Sequence, residues 1–135
     1  ADGSWVVRLS QNEYLVLGSP QDQGQRIADE EARWELDHRA NYLLPRQDSH
    51  ACVWLSGDVI AQVMAKLCGV DLSAAAFKPG AVAQTSVARV NAIVIHTGSV
   101  EVPAFHILWD RASKEYFDGA LRDALQEFGG VAQSV

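Results

Sequence analysis

Four histidines, two cysteines and a cluster of carboxylates are the side chains of this sequence with chemistry to offer. His38, His50, His96 and His106 stand singly along the chain. A structural or catalytic metal site takes three or four ligands at short spacings such as C-x-x-C or H-E-x-x-H, and neither spacing occurs. Only His50 and Cys52 fall close together. On a strand they would project from the same face, but two ligands without a third make no site, so no metal is expected. The nucleophile elbow G-x-S-x-G and the glycine-rich phosphate loops are missing too. Ser56-Gly57-Asp58 holds one glycine and reads as a turn. Asp29, Glu30, Glu31, Glu35 and Asp37 interleave with Arg33 and Arg39, the pattern of a solvated helix face rather than of an acid–base pair. The residues therefore propose no catalytic group, no metal and no cofactor ligand on this chain.

What remains are the tryptophans, Trp5, Trp34, Trp54 and Trp109, four in 135 residues. Exposed tryptophan marks protein interfaces more readily than cofactor stacks. Trp109 shares one side of an expected strand with Phe105 and Ile107, which read as core, while His106 and Leu108 take the other side. Trp5, near a chain end, and Trp34, on a polar helix, are the candidate interface residues. At least one of them is expected to be buried by another subunit. Cys52, in an apolar strand, and Cys68, ending a helix, are expected as buried reduced thiols, since a chain with a sizeable core needs no bridge.

The elements that must position these residues belong to a globular chain. It is 48% hydrophobic and 21% charged, which excludes a disordered chain and a coiled coil. Its length fits one domain over residues 1–135. A net charge of −6 without a basic cluster argues against nucleic acid and anionic membranes as partners. No apolar run reaches membrane-spanning length. Ala1-Asp2-Gly3-Ser4-Trp5 has neither the basic nor the apolar part of a leader, so the cytoplasm is expected.

Trp5–Leu9 and Tyr14–Leu17 read as a hairpin around a polar loop. Ser19-Pro20 signals a helix running to about Arg39. Tyr42-Leu43-Leu44 is a short edge-strand candidate before Pro45, and Ala51–Leu55 a longer strand. Ile60, Val63, Met64 and Leu67 mark a helix face, with Gly69 at a left-handed cap position. Val82–Val90, Ala92–His96 and Phe105–Trp109 are β-rich. A last helix runs from Ser113 to Phe128, with Phe117, Leu121, Ala124, Leu125 and Phe128 on one face. Strands grouped together with helices at their ends predict an α+β fold with a mainly antiparallel sheet.

Three segments in order carry a resemblance. They are Leu9-Ser10-Gln11-Asn12-Glu13-Tyr14-Leu15-Val16-Leu17-Gly18, then Asp48 to Ser73 with its Cys52-Val53-Trp54-Leu55-Ser56-Gly57 and Asp71-Leu72-Ser73, then Phe77-Lys78-Pro79-Gly80-Ala81-Val82-Ala83-Gln84-Thr85 and onward to Phe128-Gly129. Together, over about residues 5 to 129, they resemble the gamma subunit of heterotetrameric sarcosine oxidase. That subunit is in turn similar to the folate-binding domain of the aminomethyltransferases. The resemblance implies that fold, and membership of a flavin-dependent complex that oxidatively demethylates an N-methyl amino acid. It implies larger flavin-binding subunits as partners. It also implies FAD, FMN and NAD held on those subunits, and tetrahydrofolate as acceptor of the one-carbon unit.

The chain departs from the folate-binding pattern. Where aminomethyltransferases end a Gly-rich motif on an acid that bonds the pterin, this chain has Phe105 followed by His106. A carboxylate accepts two bonds from the pterin's donors and an imidazole cannot. The resemblance with this departure implies a non-catalytic small subunit. An independent folate-binding or aminomethyl-transferring protein of the same fold is the alternative, and a free-standing interaction domain is a third. The stretch before the first hairpin is also shorter than the family's.

Overall fold

The structure, a computed structural model, describes residues 3–39 and 41–131. The chain forms two compact units, Ala1–Gln47 and Asp48–Val135.

The first unit opens with β1 (Trp5–Arg8) and β2 (Tyr14–Leu17), an antiparallel pair in which Val7 faces Leu15. The polar Ser10–Glu13 stretch closes the hairpin, with the Leu9 N–H donating to the Glu13 carbonyl at 2.9 Å. Strand alternation sends Val7 and Leu15 to a buried face and leaves Val6 and Val16 exposed on the other. Helix α1 spans only Gln25–Arg33, shorter than the helix expected from Ser19-Pro20 to Arg39. The cap signature is used otherwise. The Ser19 hydroxyl accepts from the Gln21 N–H at 3.1 Å, closing a local turn. Gln23 and Gly24 then take φ of 52° and 79°, a left-handed break no helix can cross. Beyond Arg33 the backbone turns extended at Trp34 (φ −67°, ψ 125°). Tyr42-Leu43-Leu44 is not a strand. Among the described residues no strand lies beside it to pair with, and Pro45 removes a donor.

The second unit holds β3 (His50–Ser56), α2 (Ile60–Ala65), β4 (Val82–Val87), β5 (Val90–His96), β6 (Ala104–Asp110) and α3 (Lys114–Gln126). A single 3₁₀ turn, Arg111–Ser113, leads into α3. The four strands form one antiparallel sheet in the order β3-β6-β5-β4. Alternation sends Leu55 of β3, Val87 of β4, Ala92 and Val94 of β5, and Phe105, Ile107 and Trp109 of β6 to one face. There they meet Ile60, Val63 and Met64 of α2 and Phe117, Leu121 and Ala124 of α3. This is the α+β, mainly antiparallel architecture the pattern predicts.

Trp109 is the centre of that core. Its partners across the sheet are Ala51 on β3 and Ala92 on β5. Two alanines beside an indole leave it room to lie flat, and its ring stacks on Phe117 with centroids 4.0 Å apart and planes tilted 17°. Leu108, on the opposite side of β6, is buried as well.

Two further expectations need correction. Val82–Val90 is not one strand: Ala88 and Arg89, with φ of 49° and 67°, form a tight hairpin turn between β4 and β5. Such turns favour Asn-Gly, so Ala-Arg gave no signal. The turn is held from outside, since Ala88 donates to the Leu67 carbonyl at 2.8 Å and Cys68 bridges to Val87. The same bridge ends the α2 segment, and Gly69 is not left-handed.

Candidate subunit interface

The four tryptophans separate by element. Trp109 is 2% exposed. Trp54 alternates with the inward Val53 and Leu55 on β3, so it points away from the helices and is 60% exposed. Trp5, opposite Leu17 on the hairpin, is half-buried. Trp34 stands immediately past α1 and is 46% exposed. Among the described residues no ring contact joins Trp5, Trp34 and Trp54 to one another. Trp54 did not stand out in the sequence, because Ala51–Leu55 is apolar throughout and shows no polar alternation; only the inward Val53 and Leu55 of the folded strand put it outside.

Around Trp34 lies a shallow hollow of about 360 Å³, lined by Glu30, Arg33, Trp34, Glu35, Asp37 and Arg39. Its guanidinium groups are tied down locally. Arg33 Nε donates to the Asp29 carbonyl at 3.1 Å, one turn back. Arg39 Nε donates to Asp37 Oδ2 at 2.8 Å, which holds the Asp37 carboxyl below the usual carboxylate range. Glu30 pairs with Arg26 at 3.3 Å in the i, i+4 geometry of a solvated helix. The Asp29–Asp37 carboxylates thus belong to an exposed ion-pair surface, as their interleaved pattern suggests.

A second open concavity, about 400 Å³, lies on the sheet face away from the helices between His50, Gln84, Ser86, Asn91, Ile93 and Leu108. Its lining carries hydrogen-bonding groups and, besides the His50 imidazole, only uncharged side chains. Cys52 sits two residues from His50 on the same face. The expectation of two buried thiols holds for Cys68 and fails for Cys52, which lies on an edge strand with its outward face uncovered. Its sulfur is still hemmed in by neighbouring atoms, and desolvation pushes the thiol up to about 11. A thiol so raised stays protonated at neutral pH and is a poor nucleophile. Both cysteines are free. Among the described residues no three His, Cys, Asp or Glu side chains converge as metal ligands. None of the described helices is long and apolar enough to cross a membrane.

His96, which is buried, and His106, which is half-buried, are occupied differently. His96, at the end of β5, is 4% exposed and packs edge-on against Phe105 with centroids 5.2 Å apart. Burial lowers its pKa, and its Nδ1 has no partner. His106, facing Trp54 across β3 and β6, lies with Nδ1 2.7 Å from the Thr97 hydroxyl. Desolvation lowers its pKa too, so the ring is neutral. A neutral imidazole with one nitrogen engaged by Thr97 has a single nitrogen left to offer. It cannot reproduce the paired acceptors of a carboxylate.

The fold defines the class first: an antiparallel four-stranded sheet covered on one face by two helices, preceded by a hairpin-and-helix unit. That arrangement is shared with a chain of heterotetrameric sarcosine oxidase from Corynebacterium sp. U-96, solved in complex with pyrrole 2-carboxylate. The superposition has a TM-score of 0.76 and covers 98% of this chain and 65% of that one, at 22% identity. The resemblance read in the sequence thus meets a chain of the same assembly in three dimensions, and what the likeness shows is the fold. This chain spans about two-thirds of the length of that neighbour, 65% of it. No protein-family model matches the sequence. No curated protein matches it either.

Proposed function

We propose that this chain is the small, gamma-type subunit of a multi-subunit, flavin-dependent sarcosine oxidase-like enzyme, and that it carries no active site of its own. The observation that supports this most is the structural likeness over 98% of the chain to a member of a heterotetramer. With 98% of 135 residues laid over 65% of the neighbour, that neighbour is only about one and a half times as long, which suits a small subunit. In this reading residues 1–135 act as one gamma-like domain in the cytoplasm. The larger subunits carry FAD, FMN and NAD and oxidatively demethylate an N-methyl amino acid, passing the one-carbon unit to tetrahydrofolate. At least one of Trp5 and Trp34 is then covered by one of those subunits, because a domain without a ligand draws its specificity from protein contacts.

The second reading, an independent folate-binding or aminomethyl-transferring protein, needs an acceptor pair at position 106. The neutral, Thr97-bonded His106 does not provide it. Isothermal titration of the isolated chain with tetrahydrofolate separates the two. No heat beyond dilution is expected up to millimolar ligand, and the isolated chain should oxidise no sarcosine. Saturable micromolar binding would reverse the choice.

A further inference from the structure

We infer that the open edge of β3 pairs with the same edge of a second copy, so that the free chain forms a two-fold dimer whose two four-stranded sheets run on as one. The inference concerns the chain by itself and goes beyond the subunit reading.

The ladder shows which backbone groups are free. The Ser49 carbonyl accepts from the Arg111 N–H at 2.9 Å, and the Gly57 N–H donates to the Pro103 carbonyl at 3.1 Å. In an antiparallel pair alternate residues exchange bonds with the neighbour, so the odd-numbered positions of β3 bond β6. The N–H and C=O groups of His50, Cys52, Trp54 and Ser56 point the other way. Among the described residues no strand lies on that side of β3, and none of those groups has a backbone partner. The other edge strand, β4, is closed at Val87 by the bridge to Cys68. Edge strands are ordinarily guarded by Lys, Pro or a bulge. From Ser49 to Gly57 there is neither a charged residue nor a proline, and the register with β6 is unbroken. Trp54, on this edge, is 60% exposed.

The strand fits its own copy. A two-fold contact sets residue i against j and j against i. With Cys52 on the axis, each Trp54 indole lies beside the other copy's His50, and Ala51 meets the other copy's Val53. Ala51 and Val53 are only partly buried against the core, and this contact completes their cover. Pairing then runs from Ser49 to Leu55 with no carboxylate inside it. An axis at Val53 would bring Asp48 up to Asp58 at both ends, like charges directly opposed. An axis at Trp54 would run the pairing into Gly57, whose φ of 130° leaves the extended region. A contact this narrow belongs to the small, reversible class. The net charge of −6 on each copy opposes it over distance, so salt strengthens it.

Sedimentation velocity of the full chain from about 1 to 500 µM should show a monomer–dimer equilibrium that tightens as salt rises. Cys52→Lys sets two ammonium groups against each other on the axis and should weaken the dimer at least about tenfold, and Trp54→Lys should do the same. Both positions are exposed, and circular dichroism checks that the variants stay folded. In hydrogen exchange the amides of His50, Cys52 and Trp54 should be fast in dilute solution and slow in the dimer. Those of Ala51, Val53 and Leu55, already bonded to β6, should be slow in both. A chain that stays monomeric over the whole range, or a dimer that both lysine variants leave intact, would overturn the inference and leave the subunit reading standing. Protection of the same three amides only in the pair with the FAD-binding subunit would make a strand of that subunit the occupant and overturn the assignment to a second copy.

Discussion

Replacing Trp109 with alanine should remove a large part of the stability of the second unit. The indole is 2% exposed, stacked on Phe117 and flanked by Ala51 and Ala92 in the neighbouring strands. Those alanines cannot grow into the space it would leave, so the cavity would not close. Truncations of buried tryptophan or phenylalanine cost about 3–5 kcal/mol, against a total of roughly 5–15 kcal/mol for a typical domain. Denaturant unfolding followed by far-ultraviolet circular dichroism should show the midpoint falling with little change in slope. Trp109→Phe should cost much less. It keeps a ring on Phe117 and deletes an indole N–H that has no hydrogen-bond partner, an arrangement that carries a penalty of about 1–3 kcal/mol by itself. A Trp109→Ala variant within about 1 kcal/mol of the parent would mean that the stack is not the centre of this core.

The same substitution, glycine to alanine, should have opposite signs at two places in the second unit. Gly98 lies where the loop from β5 to β6 folds back on itself, its N–H donating to the Ala104 carbonyl at 3.1 Å. A Cβ there would stand 2.3 Å from the Ala104 nitrogen and 2.4 Å from the Val102 carbonyl oxygen. Both are backbone atoms, so the loop itself must open. The expected cost is at or above the top of the ~1–3 kcal/mol range for overpacking. The shift would also displace Thr97 from His106, so the imidazole resonances of His106 should move. Gly119, exposed in the middle of α3, has nothing within 4 Å of its missing Cβ. Alanine there should stabilise by about 0.5–1 kcal/mol through helix propensity. Thermal melting of the two variants reads both signs in one experiment.

These effects follow from positions the sequence partly disclosed. The period of Phe117, Leu121 and Ala124, and the alternation of Phe105, Ile107 and Trp109, are strong because each element buries one face against a core large enough to enforce it. The first unit offers no such enforcement. Helix α1 buries none of its residues, so its start is decided by a left-handed backbone at Gln23 and Gly24 rather than by a hydrophobic pattern. The Ala88-Arg89 turn was invisible for a related reason: contacts to Leu67 and Cys68, distant in sequence, impose a conformation that local residue preferences oppose. The interface residues divide in the same way. Trp34 stood out by type, whereas Trp54, inside the continuous apolar run Ala51–Leu55, did not. The open edge of β3 depends on the absence of a pairing strand, which no local pattern states.

The proposed role is tested most directly by co-expressing the full chain with the FAD-binding subunit and following the pair through size-exclusion chromatography. Absorbance is recorded at 280 nm and in the flavin band. The account predicts a single stoichiometric peak carrying flavin, in which sarcosine is oxidised, while the chain purified alone elutes colourless and inactive. Elution of this chain apart from the flavin-bearing peak, or amine oxidation by the chain alone, would contradict it.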